Sequence, residues 1–532
     1  MNATAGTREL VRLGARRDRV MLPAWCYLII ALAVGTAYSF KGLYPTPASR
    51  LAFAHSFAGN PTFSALTGPT FDLSTIGGLT AWRIGGLGGL LMALFNILVV
   101  VRHTRAEEEA GRLELVGAGA VGRYAPLTAG LVLALGTDLV LGLVIGGGLT
   151  LVGEPAGDSF VLGFALAVVG AAFAGIAAVT AQLTETSRAA TGLAATVLGI
   201  AFLLRAVGDS AGTGIQWLSW LSPIGWGQQI RPFAGDRWWV FALPVGLAVL
   251  TCWAARALVG RRDLGAGLLP SRPGPATAAH ALRSPLALAW RLQRGLLLGW
   301  AIALIAVSAV LGTVTQDMLS IVNTNSALTR IISQLGGQAG IANAFLSSVM
   351  TLVALLSAIF VVQAVLRLRS EEEALRAEPV LATGVGKVPF AAGHLLVAAL
   401  GGALLLAISG VAVGLGYGLR TGDVGGQLAA MVGAALVQVP ATWVLAGVAI
   451  TLFGLLPAWT AAGWGAVVVC FAIGELGPSL HPPQWVMDIS PFTHVPRLPG
   501  GALAGAPIGW LLVVSVALTV VGLVGWRRRD VG

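Results

Sequence analysis

The stretch that decides the fold is Arg105-Ala106-Glu107-Glu108-Glu109-Ala110-Gly111-Arg112-Leu113-Glu114-Leu115-Val116. It recurs 264 positions later as Arg369-Ser370-Glu371-Glu372-Glu373-Ala374-Leu375-Arg376-Ala377-Glu378-Pro379-Val380. Residues 105–122 and 369–386 are identical at 11 of 18 aligned positions. Because both copies stand between long apolar runs, the sequence predicts two related halves, each with one acidic helix on the same side of a membrane.

The composition is that of a membrane protein. The 532 residues are 56% hydrophobic and 11% charged, with a mean hydropathy of +0.83. Soluble domains carry about 25% charged residues. The apolar runs are long enough to span a bilayer as helices, which predicts an all-α polytopic membrane protein. Cys26, Cys252 and Cys470 lie far apart in apolar runs and indicate neither a disulfide framework nor a metal site.

The apolar runs predict twelve transmembrane helices in two fused, parallel six-helix repeats. The first half is residues 1–258, residues 259–290 are a linker rich in Arg, Pro and Gly, and the second half is residues 291–532. The spans of the first half are predicted at about 20–40, 83–103, 124–151, 158–181, 189–207 and 238–258. Those of the second half are predicted at about 295–314, 345–366, 389–418, 427–453, 457–474 and 506–526.

The basic residues predict the orientation. With the N-terminus in the cytoplasm, the inner segments hold 24 of the 33 Lys and Arg residues. Cytoplasmic loops of membrane proteins carry such an excess. The sequence therefore predicts a multi-pass protein of a bacterial plasma membrane with both termini and the 259–290 linker in the cytoplasm. The net charge of +10 is explained by this bias, and no nucleic-acid partner is implied.

A second repeat lies before the last span of each half. Gln216-Trp217-Leu218 with Leu221-Ser222-Pro223 matches Gln484-Trp485-Val486 with Ile489-Ser490-Pro491. Proline interrupts a helix and tryptophan favours the membrane interface. An interrupted, re-entrant outer helix is predicted around Trp217, Ser222, Pro223, Trp485, Ser490 and Pro491. An ordinary surface loop with interface tryptophans is the alternative.

The acidic segments have a local and a functional interpretation. Glu108 precedes Arg112 by four residues, and Glu372 precedes Arg376 by four, which predicts ion pairs that stabilise a solvated helix. However, a carboxylate triplet opposes the local basic bias, and its retention in both copies favours docking of a partner protein. The predicted docking residues are Arg105, Glu107, Glu108, Glu109, Arg112, Glu114, Arg369, Glu371, Glu372, Glu373, Arg376 and Glu378.

These motifs carry a family resemblance. The glutamate cluster followed by Gly111-Arg112-Leu113-Glu114-Leu115 resembles the coupling helix of ABC-2-type ABC exporter membrane subunits. The outer segment from Trp220 to Trp226, continued by residues 231–239, resembles actinobacterial polyketide-antibiotic exporters of the tetronasin type, a group of multidrug exporters. The resemblance covers essentially the whole chain. The second acidic copy departs from it at Leu375, Ala377 and Pro379.

The resemblance implies a transport subunit without catalytic or metal-binding residues. It implies efflux of amphipathic, largely apolar compounds such as polyketide antibiotics and drugs. Two copies of a cytosolic ABC ATPase would bind the ATP and Mg²⁺, so no cofactor is expected in this chain. Residues 383–388 come nearest to a phosphate loop but lack its first glycine and the hydroxyl after lysine. Residues 117–122 fit G-x-G-x-x-G without the preceding strand that a dinucleotide site needs.

Polar side chains inside the predicted spans are candidates for the substrate pathway. They are Asn96, Asp138, Gln363 and Gln438. Asn96 and Gln363 fall in the second span of their halves, which resembles pathway-lining helices in the family. Hydrogen bonding between helices is the alternative for both. Asp138 is either a proton relay or a buried acid with a structural partner.

Two other functions stay open. A proton-driven secondary drug transporter also has twelve spans, although its loop between spans 2 and 3 is normally basic, whereas this loop holds Glu107–Glu109. A membrane-embedded polyprenyl-linked transferase needs clustered carboxylates or histidines on an aqueous face. The outer acidic residues are scattered along the chain: Asp72, Asp209, Asp236, Asp423, Glu475 and Asp488.

The topology generates a labelling prediction. In intact cells, a membrane-impermeant thiol reagent should modify Ser56→Cys and spare Ser271→Cys, because the two positions lie on opposite sides of the membrane. The opposite labelling pattern would overturn the orientation and, with it, the cytoplasmic location of the acidic helices.

Overall fold

The computed structural model describes residues 3–57, 64–65, 67–117, 119, 121–210, 214–269, 276–277, 279, 282–323, 337–480 and 483–530. All regular structure in these residues is helical. A bilayer supplies no hydrogen-bond partners to the backbone, and a helix satisfies its own peptide groups. The predicted all-α membrane fold is confirmed. The chain forms two compact units, Met1–Gly274 and Pro275–Gly532.

Unit 1 begins with α1 (Thr7–Arg17), α2 (Met21–Leu43) and α3 (Pro47–Phe57). It continues with α4 (Ile76–His103), α5 (Arg105–Glu109), α6 (Arg112–Gly117), α7 (Ala125–Val152), α8 (Ala156–Leu183) and α9 (Ser187–Ser210). A 3₁₀ turn (Gln216–Leu221), α10 (Pro223–Gln229), a second 3₁₀ turn (Trp238–Phe241) and α11 (Ala242–Val259) complete it.

Unit 2 contains α12 (Pro285–Asn323), α13 (Gly337–Glu373), α14 (Ala377–Leu381), α15 (Lys387–Thr421), α16 (Val424–Leu436) and α17 (Val439–Leu455). A 3₁₀ turn (Pro457–Trp459), α18 (Ala462–Leu480), α19 (Gln484–Met487), a 3₁₀ turn (Pro491–His494) and α20 (Gly505–Arg528) follow. The tenth predicted span is therefore broken between α16 and α17. Pro440 in the first turn of α17 has no N–H to donate to the preceding turn.

Eleven helices of the described chain are long and apolar enough to cross a membrane. They coincide with all the predicted spans except the eleventh. At that position the described apolar helix, Ala462–Gly474, is shorter. The predicted total of twelve thus corresponds to eleven full-length helices and one shorter one.

The second and fourth spans are the most buried in each unit. In unit 1, α4 and α8 are the most covered, whereas α2 and α11 are largely exposed. In unit 2, α13 and the α16–α17 span are the most covered, whereas α12 and α20 are largely exposed. The second and fourth spans of each unit therefore form its core. The acidic segments begin at the end of the second span, so they are attached directly to this core.

Glycines let the helices approach closely where lipid offers no hydrophobic gain from packing. A Cβ on Gly454 of α17 would lie 2.1 Å from the carbonyl oxygen of Gly522 on α20. Gly163 of α8 has the same relation to Gly142 of α7, at 2.2 Å. Backbone occupies the space that a side chain would need at both contacts.

Gly454→Ala should destabilise unit 2 by about 1–3 kcal/mol, the usual cost of inserting a methyl group into a packed contact. The measurement is the thermal unfolding midpoint of the purified protein in nanodiscs. Gly433→Ala on α16 is the matched control, because a Cβ there meets nothing within 4 Å. Equal midpoints for the two variants would contradict the close contact between α17 and α20.

Candidate functional site

Each acidic segment ends in the same left-handed turn. In unit 1, α5 ends before Gly111, which has φ +69°. In unit 2, α13 ends before Leu375, which has φ +55°. The two residues are 264 positions apart and occupy matching places in the repeat. This conformation costs a residue with a Cβ about 1–2 kcal/mol. The second copy nevertheless keeps the turn, with Leu375 in place of glycine.

The turn gives the arginine that follows it a different partner from the predicted one. Arg112 donates from Nε and Nη2 to Glu107, at 2.7 and 3.0 Å, and Arg17 of α1 contacts the same carboxylate. In the second copy Arg376 donates from Nε to Glu371 at 2.8 Å. The expected pairs with Glu108 and Glu372 are therefore wrong. The chain reverses after the acidic helix and carries each arginine back to the first glutamate of the triplet.

Glu371 is held from two sides. Arg367, one helical turn earlier on α13, donates from Nε to its other carboxylate oxygen at 2.5 Å. Glu371 is buried, and the side chain of Glu107 is 17% exposed. The first glutamate of each triplet is thus largely covered by arginines of its own unit.

The central glutamate of each triplet binds an arginine beyond the last helix of its unit. Glu108 receives Nη1 and Nη2 of Arg262, at 2.5 and 2.8 Å, and the N–H of Gly265 at 2.6 Å. Arg105 lies 3.3 Å from the same carboxylate. Glu372 contacts Arg529 and receives Nη1 of Arg369 at 3.2 Å.

Burial separates the predicted docking residues into two groups. Arg105, Glu108, Glu371 and Glu372 are buried, and Glu107 and Arg369 are partly covered. The exposed members are Glu109, Arg112 and Glu114 in the first copy and Glu373, Arg376 and Glu378 in the second. These are the same three positions of the repeat. Glu109 also caps α9, because it accepts the N–H and Oγ–H of Ser187 at 2.8 and 2.6 Å.

The polar residues of the spans are paired or buried. Asn96 and Asp138 are brought together, with Nδ2 of Asn96 2.8 Å from Oδ1 of Asp138, and both are buried. Gln363 accepts a hydrogen bond from Nε1 of Trp300 at 3.1 Å. Gln438 is buried at the break between α16 and α17. Of the four pathway candidates, Asn96 and Asp138 therefore bind each other, whereas Gln363 binds a tryptophan that was not among the candidates.

The outer repeat forms an interrupted helix in both units. Ser222 and Ser490 precede the short helical segments that begin at Pro223 and Pro491. Both serines and both prolines are buried. Trp217 and Trp485 are 59% and 68% exposed. The depth of these segments in a bilayer stays a prediction.

Sequence reasoning missed the arginines that hold the triplets. Arg262 lies in the expected linker, and Arg529 belongs to a terminal arginine cluster that the orientation argument used only as positive charge. Both follow the last span of their unit at nearly the same distance. That shared spacing was a signal in the sequence, but only the folded units show which carboxylates the arginines reach.

Asp236 lies outside the spans, between Pro223–Gln229 and Trp238–Phe241, and its carboxyl is next to that of Asp158 in the first turn of α8. Burial and the neighbouring carboxyl of Asp158 raise the pKa of Asp236 to about 6. Because the pKa is higher in the folded state than in an open chain, the protonated form stabilises this segment. That contribution is complete below about pH 4 and is lost as the pH rises through about 6.

Local opening of residues 231–241 should therefore increase as the pH is raised through about 6, and Asp236→Asn should abolish this dependence. Amide hydrogen exchange of the segment, corrected for the intrinsic pH effect, measures the opening. Asp488→Asn, an exposed carboxyl in the second outer segment, is the control. Protection that rises with pH in the unmodified chain would contradict the shared burial of the two acids.

Comparison with known proteins identifies the relatives of this chain. It matches the family described as "Multidrug efflux system permease Rv1217c, C-terminal domain" over residues 13–260 and 282–527. It is also 43% identical to the multidrug efflux system permease protein Rv1217c of Mycobacterium tuberculosis over 529 residues, which cover 99% of this chain and 95% of that protein. With eleven long apolar helices among its described residues, the chain is a multi-pass membrane protein that belongs to the Rv1217c family of multidrug efflux system permeases.

Proposed function

We propose that this permease is the transmembrane subunit of an ATP-driven exporter of the ABC-2 type. Two copies of a separate cytosolic ABC ATPase dock on its two acidic helices and bind the ATP and Mg²⁺. The acidic helices, the 259–290 linker and both termini lie in the cytoplasm of a bacterial plasma membrane. ATP binding closes the ATPases, displaces the acidic helices and switches the permease between inward and outward access.

The observation that carries this proposal is the matching surface of the two acidic segments. Glu109, Arg112 and Glu114 are exposed in one, and Glu373, Arg376 and Glu378 are exposed in the other. Local helix stability explains the covered glutamates, because arginines of the same unit neutralise them. Local contacts also involve four of the exposed residues, because Arg112 and Arg376 bind the first glutamates, Glu109 caps α9 and Glu373 accepts from Arg369. These contacts do not involve Glu114 and Glu378, which are exposed at the same position of both copies. A partner that recognises this pattern twice explains it.

The substrates in this proposal are amphipathic and largely apolar, as for polyketide-type antibiotics and drugs. Nδ2 of Asn96 binds Asp138, Gln363 accepts from Trp300, and the spans carry few other polar side chains, so substrate binding would rest mainly on apolar and aromatic groups. Such surfaces accept several compounds of similar size. The relative's name, a multidrug efflux system permease, agrees with this breadth.

Charge reversal at the exposed positions tests docking without disturbing the covered pairs. Glu114→Lys combined with Glu378→Lys should weaken ATPase binding at least about tenfold, since like charges facing each other at an interface cost several kcal/mol. The permease yield in membranes should stay unchanged, because exposed helix charges contribute only tenths of a kcal/mol each. Co-purification of the ATPase and drug efflux are the measurements.

Asp488→Lys provides the control, because it reverses an exposed acid in an outer segment. It should leave ATPase binding and efflux unchanged. Full ATPase binding and full efflux in the double variant would show that Glu114 and Glu378 are solvent-exposed residues without a docking role. The loss of binding should shrink at high salt, because the contacts are partly solvated.

Proton-driven transport is the second candidate, and one observation favours it. Asp138 is a buried acid in the middle of α7, where an intramembrane carboxyl is a candidate proton carrier. Inside-out vesicles separate the two energy sources. Uptake that needs ATP and persists after the proton gradient is collapsed supports the ATP-driven exporter. Uptake that follows the gradient without ATP supports the proton-driven alternative.

A further inference from the structure

Both units build the same junction at the end of their last helix. In unit 1, Arg262 follows α11 and binds the central glutamate, Glu108, through both terminal nitrogens. In unit 2, Arg529 follows α20 and contacts the central glutamate, Glu372. The glutamates are 264 positions apart and the arginines 267. The contact therefore recurs although the spacing of the two partners has shifted by three residues.

Each arginine also reaches the end of the fourth span of its unit. Nε of Arg262 donates to Oε1 of Gln182 on α8 at 2.8 Å. Nη1 of Arg529 donates to the carbonyl oxygen of Phe453 on α17 at 2.9 Å, and its guanidinium lies over the Phe453 and Trp526 rings. One side chain in each unit thus connects the acidic helix, the last span and the central fourth span.

The junctions are covered and well connected. The side-chain exposures are 3% for Glu108 and 10% for Arg262, and 7% for Glu372 and 17% for Arg529. Charge-assisted hydrogen bonds of a guanidinium fix both distance and orientation. A covered pair is also little screened by salt. A displacement of the acidic helix at such a junction moves the arginine with it, and the arginine is attached to two spans.

We propose that Arg262 and Arg529 are positioning residues that transmit movement of the acidic helices to the fourth and last spans. This inference rests on the proposed function, since an ATPase docked on the acidic helices supplies the movement. It assigns docking and transmission to different residues of the same segment. The exposed positions hold the partner, and the covered central glutamate passes the displacement inward.

The test uses the full-length permease with its ATPase in proteoliposomes and measures drug transported per ATP hydrolysed. Arg262→Gln and Arg529→Gln should bind the ATPase normally and support ATP hydrolysis, while the transport ratio falls about tenfold in the double variant. Arg261→Gln and Arg528→Gln are the matched controls, because each removes an exposed arginine next to the junction. The controls should keep the ratio of the unmodified protein.

The conservative variants Arg262→Lys and Arg529→Lys keep the charge but lose the planar guanidinium, which binds the glutamate and the fourth span at the same time. They should fold and show a ratio between those of the Gln variants and the controls, and they replace the Gln variants if those fail to fold. A purely structural role predicts lower yield with an unchanged ratio for the folded complexes, and that result overturns the proposal. Loss of ATPase binding in the Lys variants also overturns it, because transmission would not be separable from docking.

Hydrogen exchange of the permease alone separates this inference from the proposed function. In the unmodified protein the amides of residues 105–110 and 259–262 should exchange together, because Arg262 joins them. Arg262→Lys should uncouple the two segments and Arg261→Gln should not. Coupled exchange with no ATPase binding would reject the proposed function and keep the junction. Independent exchange in the unmodified protein would reject the junction itself.

Discussion

Hydrocarbon gives no hydrogen bonds to peptide groups, and the rest of this structure depends on that constraint. Backbone inside the bilayer must satisfy itself, so the spans are helices. Charges are costly in the same region, so carboxylates and guanidinium groups collect where helices end. The acidic segments lie at such ends, directly beyond the second span of each unit. The chemistry of the protein is therefore concentrated at the boundaries of its helices.

At these helix ends, the charged residues differ in their burial. The central glutamates are covered and bound to arginines of the same unit, so they hold the segment in place. The outer residues of the same segments are exposed to solvent, where salt screens their charge. Removing one partner of a covered pair leaves an uncompensated charge, whereas changing an exposed charge costs little. Neighbouring residues of one acidic segment are thereby suited to different tasks.

The two units keep the junction but differ in detail. Leu375 adopts the left-handed turn that Gly111 adopts freely. Arg105 is fully buried, with Nε bonded to the Ala181 carbonyl at 2.8 Å, whereas Arg369 remains partly exposed. The Asn96–Asp138 pair of unit 1 has Phe360 and Gly402 at the positions 264 residues later. Both units keep the arginine–glutamate contact at the end of the last span, whereas only unit 1 has the polar pair inside the spans.

Apolar length and charge distribution along the sequence determined the all-α membrane fold and most span positions, because bilayer thickness and backbone hydrogen bonding are local constraints. The repeat also located both acidic segments and the buried Ser222–Pro223 and Ser490–Pro491 turns. Only the tertiary structure decided which arginine binds each glutamate of the acidic segments. Arg112 returns to Glu107 because of a left-handed turn, and Arg262 and Arg529 reach Glu108 and Glu372 across more than 150 residues. Such pairing depends on where helix ends meet in space, which spacing along a chain does not specify.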